Sequence, residues 1–389
     1  MIKKWMVYNE ELLERFNLRE KANMLFKSGL IDKTQELEIR RQYKTPFYTP
    51  TIAIKALLFL AGILGVSTIS GPLTLLFSGG GDIGLRIMTF IVGFGVILLN
   101  DRILIRDKYH YKSGLTRALS YSGSTFIYFA LLGYNLESKY AYLLLALGFT
   151  SIIYIRYIDL LALAASILLF YYTLFSVFYD LGGLFQNLIP IVFMLMSWIF
   201  YVLIRRIETK NTSEIYSSSF TIGKSIFLIL LYASGNYYVV RELSISLMGL
   251  SLEAGENIPF YLLFYVTSTF IPLAYLLLGI KNKSILFIRF GIICLILSFI
   301  TLKYYYSFGM PVLTITLTGA FLIGLALGIL NYLKRIRKGF TREKLLHKDW
   351  DTEDFSAIII SQTAGGVPQS EKDLFQGGQF GGGGAGGQF

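Results

Sequence analysis

Two histidines and one cysteine, Cys294, are all that this 389-residue chain offers toward metal or disulfide chemistry. A multi-histidine metal centre, a zinc ribbon and a disulfide framework are therefore excluded. Charge is also scarce. Only 16% of residues are Asp, Glu, Lys or Arg, against about 25% in a soluble globular domain. The catalytic groups are soon searched. His110 and His347 have no nucleophile motif near them, and the glycine runs at 79–81 and 381–384 lack the Lys and Ser or Thr that phosphate binding requires. Cys294 falls inside an apolar run, where a thiol is inert packing. No catalytic, cofactor-binding or metal-binding residue is assigned, and the expectation is a protein that is not an enzyme.

What is abundant is hydrophobicity, at 54% of residues. A spanning helix needs about 20 mostly apolar residues, because lipid offers no partner to exposed backbone groups. Ten stretches qualify: 52–69, 83–99, 115–134, 141–155, 160–179, 187–204, 220–240, 260–280, 285–302 and 310–333. The fourth and fifth are divided only by 156–159 and require a tight helical turn. The expected fold is an all-α, polytopic transmembrane bundle of about ten spans (51–333), with a short N-terminal helical segment (1–50) and a basic, then Gly-rich and disordered, tail (334–389).

The net charge of +11 tests that count, since basic residues stay on the cytoplasmic side during insertion. Alternate loops hold Arg102, Arg106, Lys108, Lys112, Arg156, Arg205, Arg206, Lys210, Lys281 and Lys283, while the opposite loops hold only Lys139, Arg241 and Lys303. Ten against three fits an even number of crossings with both ends in the cytoplasm. The first residues do not form a signal peptide, so the first span is expected to direct insertion. In such a chain the positive charge points to membrane-flanking loops, and no nucleic-acid partner is expected.

The N-terminal segment carries helical signals. Residues 9–26 place Leu12, Phe16, Ala22, Leu25 and Phe26 on one helical face. Gly29 then precedes a second helix opened by Asp32 and Gln35 in the form of a capping box. So short a unit buries little core alone and is expected to rest on the membrane domain or on a partner, or to be a solvated leader that serves topology alone.

After 333 the tail opens with Lys334, Arg335, Arg337 and Lys338. This cluster is either a lipid head-group contact, at about 1 kcal/mol per basic residue, or a topology determinant. The sequence Gly-Gly-Gln-Phe ends at Phe380 and again at Phe389. With Phe375, these aromatics on a flexible tether could dock on a partner, or the tail could be a plain disordered end.

Within the spans no Asp or Glu lies in the middle, and the basic residues Lys55, Arg86, Arg117, Lys224 and Arg289 sit near span ends, where long side chains reach the surface. A missing midplane carboxylate argues against proton-driven pumps. Thr267, Ser268, Thr269 and Pro272 mark a kinked helix, because proline frees the Ser268 carbonyl. That helix is either a substrate or hinge site of the kind transporters use or a packing kink. Ala320, Gly324 and Gly328 recur every four residues, a stripe suited to close helix packing, as Ala61 and Gly65 are in the first span.

Residues Gly29, Leu30, Ile31, Asp32, Gln35, Ile39 and Tyr43, directly followed by the first span, resemble the N-terminal signature of a family of uncharacterised bacterial predicted membrane proteins. There, a Gly-Leu-Ile turn and a Gln-bearing helix precede many spans. The ending at 375–389 resembles the Gly-rich, aromatic-terminated tails of bacterial TPM-domain membrane proteins, which usually close on Trp where this chain has Phe389. The resemblance implies a bacterial inner-membrane protein and no particular activity. The leading expectation is a non-enzymatic scaffold of a membrane protein complex, contacting lipids and docking partners through hairpin and tail. A ten-helix permease for a small or lipidic substrate is the alternative, and a lipid-modifying membrane enzyme comes third.

Overall fold

The computed structural model describes residues 5–76, 80–132, 138–210, 214–249 and 256–305, together with eight single residues between 316 and 331. Lys334, Arg335, Arg337, Lys338, Phe375, Phe380 and Phe389 lie outside the described residues, as does most of 310–333.

The described residues contain twelve α-helices and no strand. Two form the N-terminal hairpin, α1 (Glu10–Lys27) and α2 (Lys33–Gln42). Asn9 caps α1, and the Asp32–Gln35 box closes reciprocally, with Gln35 N donating to Asp32 Oδ1 at 2.7 Å and Asp32 N to Gln35 Oε1 at 3.0 Å. Both ends were readable because capping is local.

The long helices follow: α3 (Ile52–Leu76), α4 (Gly81–Leu99) with a π-helical continuation (Asn100–Asp107), α5 (Gly114–Leu132), α6 (Lys139–Tyr157), α7 (Leu160–Leu181) and α8 (Gly183–Lys210). After a short 3₁₀ turn come α9 (Ser217–Gly235), a shorter α10 (Tyr237–Met248), α11 (Tyr261–Lys281) and α12 (Ile285–Tyr305). Nine of the ten apolar stretches thus correspond to helices. Among the described residues seven helices are long and apolar enough to cross a bilayer: α3, α4 with its continuation, α6, α7, α8, α9 and α11.

One feature departs from the sequence reading, and the tight turn expected at 156–159 is present. The stretch 220–240 is not one helix, because α9 stops at Gly235 and α10 starts at Tyr237. Asn236 adopts an extended backbone and its side chain caps Val239 N at 3.2 Å. The doubtful pair at 156–159 resolves into two helices. Ile158 turns the chain in the left-handed region (φ 50°) and Asp159 caps α7. A β-branched residue in that region is strained by roughly 1–3 kcal/mol, and the capping bonds of Asp159 help to offset it.

Helix α5 has the hydroxyl-rich sequence of an interior element and packs between α3 and α4. A Cβ on Gly93 of α4 would lie 2.8 Å from the Gly123 carbonyl oxygen, and one on Gly114 would overlap the Lys55 carbonyl. Close approach of the helix backbones therefore requires glycine at these crossings. In α3 it is Gly62 that meets α5, while Gly65 faces open space. Ala320, Gly324 and Gly328 are helical and exposed, with open space around the two glycines.

Apolar side chains cover the outside, with Leu57, Leu64, Ile69, Leu75 and Ile83 each 66% exposed or more. In water such a surface would be an aggregation hazard; in lipid it is the expected face of a membrane-embedded bundle.

Candidate functional site

Polar side chains gather in two places. The first is the end of the bundle that carries the hairpin. There the turn of the π-helix buries Asn100 and Asp101, and π-helical turns are rare features that often mark functional positions. Asp101 receives the Arg156 guanidinium through Nε at 2.9 Å and through Nη2, and the Tyr157 hydroxyl at 2.7 Å. Asp159 repeats the pattern, with Arg117 Nε at 2.8 Å and Tyr121 OH at 2.7 Å, while also accepting from Leu161 N and Ala162 N at 2.9 and 3.1 Å. Each carboxylate thus joins helices far apart in sequence.

The N-terminal segment seals this end. Val7 N donates to the Arg156 carbonyl at 3.0 Å, and Val7, Tyr8 and Leu13 pack with Ile105, Ile153, Tyr157 and Ile158. Phe47 stacks on Tyr111, and an isolated bridge joins Tyr48 to His110. The hairpin therefore rests on the bundle. Burial raises the Tyr8 phenol well above its ordinary range and pushes Tyr111 up to about 12, so both remain neutral at physiological pH.

Between these elements lies Lys112. Burial, and then the neighbouring Arg117 cation, hold its ammonium down to about 8, with Asp159 opposing. Among the described residues no carboxylate lies within ion-pair distance of it. Tyr121 and Ile153 connect this cluster to an open groove of about 360 Å³ between α5, α6 and α7, with Ala146, Phe149 and Leu161 among its walls.

The second gathering surrounds the break at Asn236. It lies about 10 Å along α11 from Tyr261, at 1.5 Å per residue, toward the end opposite the hairpin. Thr267 Oγ1 donates to the Gly235 carbonyl at 2.6 Å, and Tyr237 N donates to Ser268 Oγ at 2.8 Å. The hydroxyls of α11 thus serve the backbone groups that the break in the neighbouring chain exposes, as backbone inside a membrane requires. Ser298 Oγ of α12 donates at 2.5 Å to the Ser268 carbonyl, which Pro272 leaves without its helical partner. Asn236 Nδ2 donates to Tyr232 OH at 2.9 Å and to Thr301 Oγ1 at 3.1 Å.

Thr267, Ser268 and Pro272 are accordingly brought together with α9, α10 and α12, whereas Thr269 is exposed on the outer side. Asn236, Ser298 and Thr301 were missed. A Gly-Asn pair at 235–236 has the form of a helix stop followed by a helix cap, a signal overlooked inside a hydrophobic run. Three of the basic residues near span ends meet a carboxylate, Arg117 among them. Lys224 donates to both Glu208 oxygens at 2.7 and 2.6 Å, and Arg86 lies 3.9 Å from Asp82.

Compared with protein families, curated proteins and solved structures, the chain finds no match. Its functional reading therefore rests on this geometry. Among the described residues no three His, Cys, Asp or Glu side chains are grouped to hold a metal ion.

Proposed function

We propose that this chain is a non-enzymatic scaffold of a bacterial inner-membrane protein complex. It crosses the membrane ten times, keeps both termini in the cytoplasm, and docks partners through its hairpin and tail. The observation that carries the reading is the Asn236 region. The Thr267 and Ser268 hydroxyls and the Asn236 amide, which would have to line a substrate path there, are buried and bonded between helices, which supports a static core. The hairpin is anchored by its inner face while Leu30 and Leu37 stay exposed on its outer one, a surface suited to a partner.

Photo-crosslinkers placed at Leu30 and at Leu37 in intact membranes test this. Both positions are expected to trap the same protein in stoichiometric amount, and Leu37→Ser is expected to abolish trapping from position 30. A crosslinker at buried Leu13 should trap nothing. Recovery as a lone species in several mild detergents, or reporter fusions that place Met1 and Phe389 on opposite sides, would overturn the reading.

The second reading, a permease for a small or lipidic substrate, is favoured by one observation, the groove between α5, α6 and α7. Tyr121, Ser124, Thr125 and Tyr128 bring hydroxyl-bearing side chains to its lining.

A further inference from the structure

The groove between α5, α6 and α7 begins at the hairpin end and runs toward the bundle middle. On α5 it passes from Tyr121 to Tyr128, and on α7 from Leu161 to Ala165. Ala146, Ala162 and Ala165 leave it open where larger residues would close it. Its volume of about 360 Å³ lies within the range of small-molecule sites, roughly 300–1,000 Å³. The hydroxyl of Thr150 is turned back onto its own helix, donating to the Ala146 and Leu147 carbonyls, so its methyl is left for the groove. A hydrocarbon chain is the occupant such walls suit.

The head of the groove has the opposite character. Past Tyr121 and Ile153 a narrow cleft is lined by Lys112, Arg117, Asp159 and Tyr8. The charged groups that act on one another there are Lys55, Lys112 and Arg117 against Asp159 and Glu20. Arg117 and Tyr121 already bind Asp159, and Asp101 is bound to Arg156. Cations exceed acids at the cleft, and Lys112 has no carboxylate within reach. Lys112 is half-buried, with its ammonium 5.3 Å from the centre of the Tyr111 ring; a partly desolvated cation with only a ring for company gains from an anion. An apolar groove that ends on surplus positive charge at the ends of α5, α6 and α7 matches one ligand class.

We propose that the α5–α7 groove holds one acyl chain of an anionic phospholipid, whose phosphate sits at Lys112 with Lys55 and Arg117 around it. The phosphate supplies the acceptor oxygens that Lys112 lacks, and the chain fills the groove. The inference does not depend on the choice between scaffold and permease, because a resident lipid and a carried one would occupy the same groove.

Native mass spectrometry of the full chain in detergent, titrated with phosphatidylglycerol and with phosphatidylcholine of identical chains, tests it. The expected result is retention of one phosphatidylglycerol with at least fivefold preference over phosphatidylcholine. Lys112→Gln should reduce that preference to about one, and Lys112→Arg should keep it. Ala165→Phe, which fills the groove from a half-buried position, should weaken both lipids. Glycerol phosphate, a head group without chains, should not compete. Circular dichroism checks the folding of each variant; if Ala165→Phe does not fold, the two Lys112 variants decide. Equal retention of the two lipids by the unaltered chain, an unchanged preference in Lys112→Gln, or displacement by glycerol phosphate as effective as by the lipid would each overturn the proposal.

Discussion

The hairpin end and the Asn236 region are both buried and both polar, yet only the first contains ions. At the hairpin end Asp101 and Asp159 are almost fully buried, at 3% and 4% side-chain exposure, while their partners Arg156 and Arg117 keep about a third of their surface exposed. The carboxylate is held inside and the guanidinium reaches outward, so only half of each pair loses its water. Around Asn236 the groups that join the helices are an amide and hydroxyls. Their desolvation cost is far below that of an ion. The contrast shows how depth selects chemistry. Ion pairs fix helix ends where water or head groups are near, and neutral hydrogen bonds fix the deeper break.

The comparison predicts a hierarchy of sensitivities. Asp159→Ala removes a counter-ion and two capping bonds together. It should destabilise the detergent-solubilised protein by about 3–5 kcal/mol in chemical unfolding, and adding Arg117→Met should restore most of that, because an apolar pair replaces an orphaned charge. A loss below 1 kcal/mol would mean that the pair is hydrated and the contrast with the interior is lost.

The second largest effect concerns pH. The Lys112 ammonium is favoured less in the fold than in the unfolded chain, since burial lowers it from 10.5 to about 8 beside Arg117, Lys55 and Asp159. The unfolded state therefore binds more protons between these values, and stability rises with pH across that window, by on the order of 2 kcal/mol. Below pH 8 the cost of the buried charge is fully present. Lys112→Met should remove this dependence and stabilise the protein at pH 7. Unfolding followed from pH 7 to 10.5 in lipid-free detergent measures both, and an unaltered profile in the variant would sink the claim.

Asn236→Leu comes next, at about 1–2 kcal/mol, since it strands the Val239 amide and breaks the link to Thr301. Ser268→Ala is expected to be smallest, near 0.6 kcal/mol, the average for one hydrogen bond between helices in a membrane protein. A loss for Ser268→Ala equal to that for Asp159→Ala would erase the distinction between the two regions.

Much of the architecture was legible because its signals are local. The Asp32–Gln35 box and the Asn9 cap lie within one turn of the backbone groups they serve. Nine apolar stretches announced helices because their length and lack of charge have few other uses. Helix α5 was among them despite its serines and threonines, and its place between α3 and α4 shows only in its packing. The sites were less legible. The carbonyl freed by Pro272 was foreseeable from proline's missing donor, but that Ser298 answers it required α12 to be in place. Arg117 looked like a side chain reaching for the surface, and only the tight turn at Ile158 brings Asp159 to it.

The sequence by itself determined that the chain is helical, that its helices are mostly long and apolar, and where the hairpin helices start. Those are consequences of hydrophobicity and backbone hydrogen bonding read along one dimension. Only the tertiary structure decided which glycines are crossings, which acid meets which base, that the stretch 220–240 breaks at Asn236, and that a groove opens beside surplus positive charge. Each of these depends on groups distant in the chain meeting within a few ångströms, and the energies of ion pairs and close packing exist only at that range.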